Sequence, residues 1–373
     1  MNRKLFLNAC MITFTYLALQ STAVSAKTIR AVSGFGPSHV LATTAYPIMA
    51  EKLKDFTDGR WKIRDTPSGL LSVSEMNQGL KRGVAEMGTI IMPYFAADFT
   101  NSALVAELSV VGTDNRAIAS AVSEYISTCS ECIAEFSTNG QVYTGSDATV
   151  TYELLTREPV RTSSDLAGMR IRTAGSVFTR FISEMGAEAT QIPSTELFEM
   201  LSSGVLDGTY SSTPDLKNQR LYESVRYVTN IHQGVFNASA MPSLSNRIWS
   251  KMNEKDRHAL MHAAQYAQAA SIAGWRDILK EATAEGEKQG ITFIEPDASL
   301  LAKAAEFRQK HIATVADTLE KRGVVNAQEK VDRYLALVEK WNHLVEGVDS
   351  IEELAELRYK EIWSHRKLMD YAN

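Results

Sequence analysis

LAGMRIRTAGSVFTRFISEMGAEATQIPSTELFEMLSSGVLDGTYSSTPD, residues 166–215, is the stretch that decides the fold. Met169 to Thr173 is a short β-prone run that carries Arg170 and Arg172. A helical stretch follows. A second helix starts at Pro193-Ser194 and ends at Gly204-Val205-Leu206-Asp207-Gly208. Strand, helix and strand in this order bring an arginine to a loop or strand end. Arginine is the side chain best shaped to clamp a carboxylate with two parallel hydrogen bonds. The stretch therefore points to capture of a small acid.

Working outward, the same layout occurs earlier in the chain. Glu75-Met76, Leu80 and Gly83-Val84-Ala85-Glu86 are spaced like Glu196-Leu197, Leu201 and Gly204-Val205-Leu206-Asp207. In both, a helix ends at a glycine suited to the left-handed C-terminal position, and Val and an acid lead into an extended run. Shared cap chemistry alone would give this echo; two similar α/β lobes would give it as well, and the spacing favours them. Thr28–Ser33 and Trp61–Asp65 read as strands. Ala42–Phe56 reads as an amphipathic helix, and Ser72–Leu80 as a helix opened by the capping box Ser72-x-x-Glu75. Alternation of this kind implies mixed or parallel sheets covered by helices. From Ser250 onward the chain is nearly all helical. Lys251–Gly290 is expected to break at Gly274, a short strand to follow at Ile291–Glu295, and helices to run over Ser299–Lys321, Ala327–Leu344 and Ser350–Tyr371. No flexible linker separates the halves, so the chain is expected to cross between lobes more than once, near Asp147–Thr151 and Ala238–Ser243.

Residues 1–26 have the pattern of a signal peptide: Arg3 and Lys4, an apolar run from Leu5 to Leu19, and a Val24-Ser25-Ala26 cleavage site. No other segment is long and apolar enough to span a bilayer, so the expected mature protein is soluble and periplasmic. The formal charge is −5, and −7 once Arg3 and Lys4 are removed. That balance argues against a nucleic-acid partner. The two cysteines beyond the leader, Cys129 and Cys132, are spaced CSEC. In an oxidising compartment they are expected to form a local structural disulfide rather than a redox centre. One pair cannot supply the four ligands of a structural zinc site, and no metal or cofactor is expected.

Jointly, Gly168-Met169-Arg170-Ile171-Arg172, Pro193-Ser194-Thr195-Glu196 with Met200-Leu201, Gly204-Val205-Leu206-Asp207-Gly208, Thr57-Asp58-Gly59-Arg60 and Gly83-Val84-Ala85-Glu86-Met87-Gly88 resemble a known family. It is the DctP-type periplasmic solute-binding proteins of TRAP (tripartite ATP-independent periplasmic) transporters. The resemblance covers roughly residues 28–325. It implies an α/β, two-lobed binding protein with mixed sheets and a cleft that closes on a small organic acid. It also implies delivery to a TRAP membrane permease. The expected division is lobe I over 27–149 plus 238–277, lobe II over 150–237 plus 278–325, and a helical C-terminal extension over 326–373.

The family's carboxylate-binding arginine falls on Arg172, and Arg170 is expected to be solvated. The bland role for Arg172 is a salt bridge to Glu196 or Asp207. Acid-specific members of that family often offer further basic groups near the strand before Pro159; here Thr149–Glu153 departs from that pattern, with no basic residue until Arg157, which argues against a dicarboxylate or a sialic-acid-like ligand. Open α/β sheets bind ligands in loops that follow strands. This rule nominates Phe35, His39, Tyr94, Tyr152, Tyr210, Ser212, Phe236 and Asn237 as ligand contacts beside Arg172. Glu196, in the first turn of its helix, is a further candidate whose structural role weighs more. An aromatic enclosure would suit a flat or largely apolar acid. No Gly-x-Ser-x-Gly elbow, His-Glu-x-x-His pair or phosphate loop supports an enzyme. A secreted hydrolase with an irregular site and a ligand-sensing lobe for a membrane sensor are the alternatives.

Overall fold

A computed structural model describes residues 26–67 and 69–372. The proposed leader lies outside these residues, except for Ala26. Eleven strands form two sheets among the described residues. They are β1 (Lys27–Val32), β2 (Trp61–Asp65), β3 (Met87–Ile91), β4 (Gln141–Tyr143), β5 (Tyr152–Thr156), β6 (Arg170–Thr173), β7 (Glu188–Gln191), β8 (Gly208–Ser212), β9 (Tyr227–Thr229), β10 (Ser239–Ser245) and β11 (Thr292–Ile294). One sheet has the order β2-β1-β3-β10-β4, the other β11-β9-β5-β8-β6-β7.

The echo in the sequence is an echo in space. β1 lies parallel between β2 and β3, as β6 lies parallel between β7 and β8. Each parallel trio then takes an antiparallel neighbour, β10 beside β3 and β5 beside β8. The chain exchanges these neighbours: β5 precedes its trio and β10 follows the other. The bracing repeats too. The Arg30 backbone N–H donates to Glu86 and its guanidinium to the carbonyl of Gly83, while the Arg170 N–H donates to Asp207 and its guanidinium to the carbonyl of Gly204. Gly83 and Gly204 sit at φ 78° and 74°, the left-handed region where glycine carries no Cβ penalty.

The segments that cross between the sheets pair with each other. Thr149 N–H donates to the Phe236 carbonyl, Phe236 N–H to Thr149 Oγ1, and Thr151 bridges Val235. The second crossing was expected over Ala238–Ser243. It lies earlier, between β9 and β10, because Ser239–Ser245 is already strand.

Three other local expectations need correction. The helix expected over Ser72–Leu80 runs from Met76 to Arg82, and Ser72 with Glu75 closes a turn ahead of it instead of capping it. The helix Glu254–Lys288 passes through Gly274 unbroken. A Cβ there would lie 2.6 Å from Val40 Cγ2, so this glycine permits close packing and does not end the helix. The expected lobe boundary at 277/278 thus falls within one helix. The tail is helical from Ile351 to Arg358, continues as a wide turn to Trp363, and then folds back through turns.

That tail is built into the molecule. Arg358 is fully buried and donates to Ser123 Oγ (2.7 Å), the Ser146 carbonyl (2.8 Å), Gln265 Oε1 (3.2 Å) and Gln268 Oε1 (2.5 Å). Trp341 Nε1 donates to Glu124, and Tyr371 Oη to the Tyr143 carbonyl. Cys129 and Cys132 are joined by a disulfide at the start of the helix Ser130–Thr138.

Candidate functional site

Between the two sheets lies a narrow cavity of about 60 Å³. Its walls come from the carboxyl ends of the parallel strands, where the ends of open α/β sheets leave a crevice. From the first sheet come Phe35 after β1, Tyr94 after β3, and His39 with Trp275 behind them. From the second come Arg172 and Ala174 at the end of β6, Tyr152 in β5, and Asp215 just after β8. Thr149 and Phe236, from the paired crossings, form the floor between them.

Arg172 is only 1 % exposed. Its Nε donates to the Ile192 carbonyl at 2.7 Å and its Nη2 to Tyr94 Oη at 3.3 Å. Nη1 is buried with no partner among the described residues. The expected alternative, an ion pair with Glu196 or Asp207, is absent among the described residues. Asp207 is paired with Arg170 at 2.8 Å, and Glu196 is exposed. A buried guanidinium is costly without an anionic partner, so Arg172 is held with capacity in reserve. Tyr94 Oη also accepts from the Ser194 backbone N–H at 3.1 Å, so one hydroxyl links both sides of the cleft.

The walls are aromatic. Phe35 stacks on His39 with centroids 4.0 Å apart, and Trp275 meets His39 edge-on at 5.4 Å. On the other side Tyr152 stacks with Phe178 at 4.9 Å and Phe236 at 6.3 Å. Burial lowers the His39 pKa to about 3, so the ring is neutral. Its Nδ1 accepts from the Leu41 N–H at 3.2 Å, which leaves its proton on Nε2. One ring thus holds a backbone N–H near the start of a helix and lines the cavity.

Phe35, His39, Tyr94, Tyr152, Arg172 and Phe236 meet around this cavity. Tyr210, Ser212, Asn237 and Glu196 do not line it. Tyr210 stands behind Tyr152 and donates to the Gln233 carbonyl at 2.9 Å. Asn237 is held by Ser109 and Tyr334. Ser212 is buried at the end of β8. Glu196 faces solvent because the residue that follows it, Leu197, takes the inward position. Sequence reasoning missed Asp147, Asp215 and Trp275. The strand-end rule that found Tyr210 would have reached Asp215 a few residues on. Trp275 gives no such signal, since it lies inside a long helix.

Residues 33–322 match the family of bacterial extracellular solute-binding proteins, family 7, and the chain belongs to that family. Among solved structures it is similar to a TRAP periplasmic solute-binding protein of Bordetella bronchiseptica with bound (R)- and (S)-mandelate. The TM-score is 0.74 at 18% identity, over 84% of this chain and 99% of that one. It is similar also to a TRAP solute-binding protein of Rhodoferax ferrireducens with copurified benzoate, with TM-score 0.75 and 17% identity over 86% of this chain and all of that one. A curated solute-binding protein of Roseobacter denitrificans is 28% identical over 158 residues, 41% of this chain. The match spans about half, 47%, of that relative's length. The fold is therefore the two-lobed one, and the family is one of solute-binding receptors.

Proposed function

We propose that this chain captures a small organic acid, with a ring or other flat apolar body, in the cleft between its lobes and hands it to a TRAP membrane permease. The observation that carries this reading is Arg172: buried, anchored through Nε, and with Nη1 unpaired beside aromatic walls. A ligand carboxylate would complete that guanidinium, and Phe35, Tyr152 and Phe236 would cover its apolar body. Tyr94 would add its hydroxyl proton, since both of its present bonds are accepted ones. The neighbours with mandelate and benzoate support an aromatic acid as the first class to test. The lobe divisions read from sequence, release of a mature chain into the periplasm and the permease partnership belong to the same proposal.

Mass spectrometry of the acid that copurifies with the protein, followed by calorimetry, tests it. Arg172→Ala is expected to abolish binding, and Arg172→Lys to weaken it severely, because lysine keeps the charge but loses the forked geometry. The loss for Ala is on the order of 2–5 kcal/mol. Wild-type affinity in Arg172→Ala would end this reading, and turnover of the acid would replace it with an enzymatic one.

A further inference from the structure

The walls of the cavity hold one guanidinium, Arg172, against two buried carboxylates, Asp147 and Asp215. Among the described residues no lysine or second arginine lines it. A plain monocarboxylate would add a third negative group to a site with one positive charge. The two aspartates are not equivalent. Asp147 is saturated by two hydroxyls, Ser239 Oγ at 2.5 Å and Ser271 Oγ at 2.6 Å, one on each oxygen. Asp215 receives one side-chain donor among the described residues, Ser211, on Oδ2. It is 5 % exposed and forms no ion pair with Arg172, although the two interact electrostatically across the site. The same lining holds two donors that are not used. Arg172 leaves Nη1 unpaired, and Trp275, 5 % exposed, leaves Nε1 unpaired. A buried acceptor and buried donors left apart in one aromatic cavity describe the outline of a missing molecule.

We infer that the ligand is an acid that also carries a hydrogen-bond donor, a hydroxyl or an ammonium group close to its carboxylate, and that Asp215 receives that donor while Arg172 holds the carboxylate. This rests on the carboxylate role proposed for Arg172. The donor belongs close to the carboxylate because Thr209, the register partner of Arg172 on β8, stands two residues before Ser211, whose hydroxyl holds Asp215, so Arg172 and the serine that holds Asp215 leave the same face of adjacent strands. Asp215 makes the site select against acids that lack the donor, because such a ligand would bury its own charge next to an unpaired carboxylate.

Phenylacetate, mandelate and phenylglycine form a matched series: no donor, a hydroxyl and an ammonium on the carbon next to the carboxylate. Calorimetry with the whole mature protein is expected to show mandelate or phenylglycine binding at least about tenfold more tightly than phenylacetate. In Asp215→Ala that lead is expected to collapse. In Asp215→Asn, which keeps shape and an acceptor oxygen, a hydroxyl lead should largely survive and an ammonium lead should vanish. The copurified acid is expected to carry a hydroxyl or amine next to its carboxyl. Phenylacetate binding as tightly as the others, in a manner abolished by Arg172→Ala, would overturn the donor inference and leave the carboxylate reading intact. A lead that persists in Asp215→Ala would overturn it as well. If none of the three acids binds and none copurifies, both readings fall.

Discussion

At the scale of single residues the cleft combines groups that are each poorly satisfied alone. Asp215 shows the cost most clearly. Burial pushes its pKa up to about 6 from an ordinary 3.8, despite the hydroxyl of Ser211 and the field of Arg172. A carboxyl whose pKa is raised in the folded state stabilises the fold while protonated and loses that contribution as pH rises from about 4 through about 6. A rise of this size is equivalent to about 3 kcal/mol. Asp215→Asn is therefore expected to raise the melting temperature of the ligand-free protein at pH 7, and the gain should disappear as pH falls below about 4. Scanning calorimetry of both proteins across that range checks it; an unchanged melting temperature at pH 7 would mean that Asp215 is at ease in its site. Arg172 was legible in sequence because Arg-Ile-Arg sits inside a strand–helix–strand unit whose spacing is distinctive. Asp147 and Trp275 were not, because their place in the site comes from the crossing segment and from the register of a helix on another part of the chain.

At the scale of elements the repeat is the main result. Strand, helix, strand, helix and strand occur twice, and each copy is tied by an arginine on its first strand to an acid and a glycine carbonyl before its third. This much could be read from the matching glycine and acid positions, since cap chemistry is local. The exchange of β5 and β10 could not, because an antiparallel neighbour from a distant part of the chain leaves no periodic trace. Gly274 misled for a related reason: the space it clears for Val40 is a tertiary fact. The disulfide is local in sequence and in space. Cys129 and Cys132 are three residues apart and lie outside the cavity walls. Closing so short a loop removes little unfolded-chain entropy. Reduction is expected to lower the melting temperature only slightly and to leave ligand affinity within error. Intact-mass analysis with and without reductant, paired with calorimetry, tests this; a large loss of affinity would mean that the start of this helix communicates with the cleft.

At the scale of the whole molecule, the two sides of the cleft touch through few polar joints. One is Tyr94 against Arg172 and Ser194. Another is Glu107, which is 2 % exposed and accepts from Ser176, Arg180 and Arg322, while its own carbonyl accepts from His311 Nε2 at 2.7 Å. Burial would raise the Glu107 pKa, but the two arginines and the serine outweigh it and hold the carboxyl below its usual range. Its contribution is present above the ordinary glutamate range and lost as pH falls through the lowered folded value. Glu107→Gln should cost on the order of 2 kcal/mol, less than a fully buried pair because both arginines remain partly in water. It should also expand the ligand-free protein in small-angle scattering, if these joints hold the lobes together. Wild-type stability and dimensions in this variant would show that the cluster is ornamental. Added ligand is expected to reduce the radius of gyration and raise the melting temperature, since contacts from both lobes bias the open–closed balance. An acid that binds without compaction would remove lobe closure from the mechanism.

The burial of Arg358 reaches beyond the finished molecule to its manufacture. The groups it engages, from Ser123 to Gln268, are made about ninety residues or more earlier on the ribosome. At ordinary synthesis speeds that gap lasts on the order of ten seconds. Through that interval the polar centre of the first lobe has no cation to close around, and early completion of the lobe is disfavoured. Closure of this cluster is thus expected to wait for a segment made much later than the groups it engages. Arg358→Met, able to fill the space without the bonds, is expected to reveal this as a change in refolding rate and in the yield of folded protein relative to wild type.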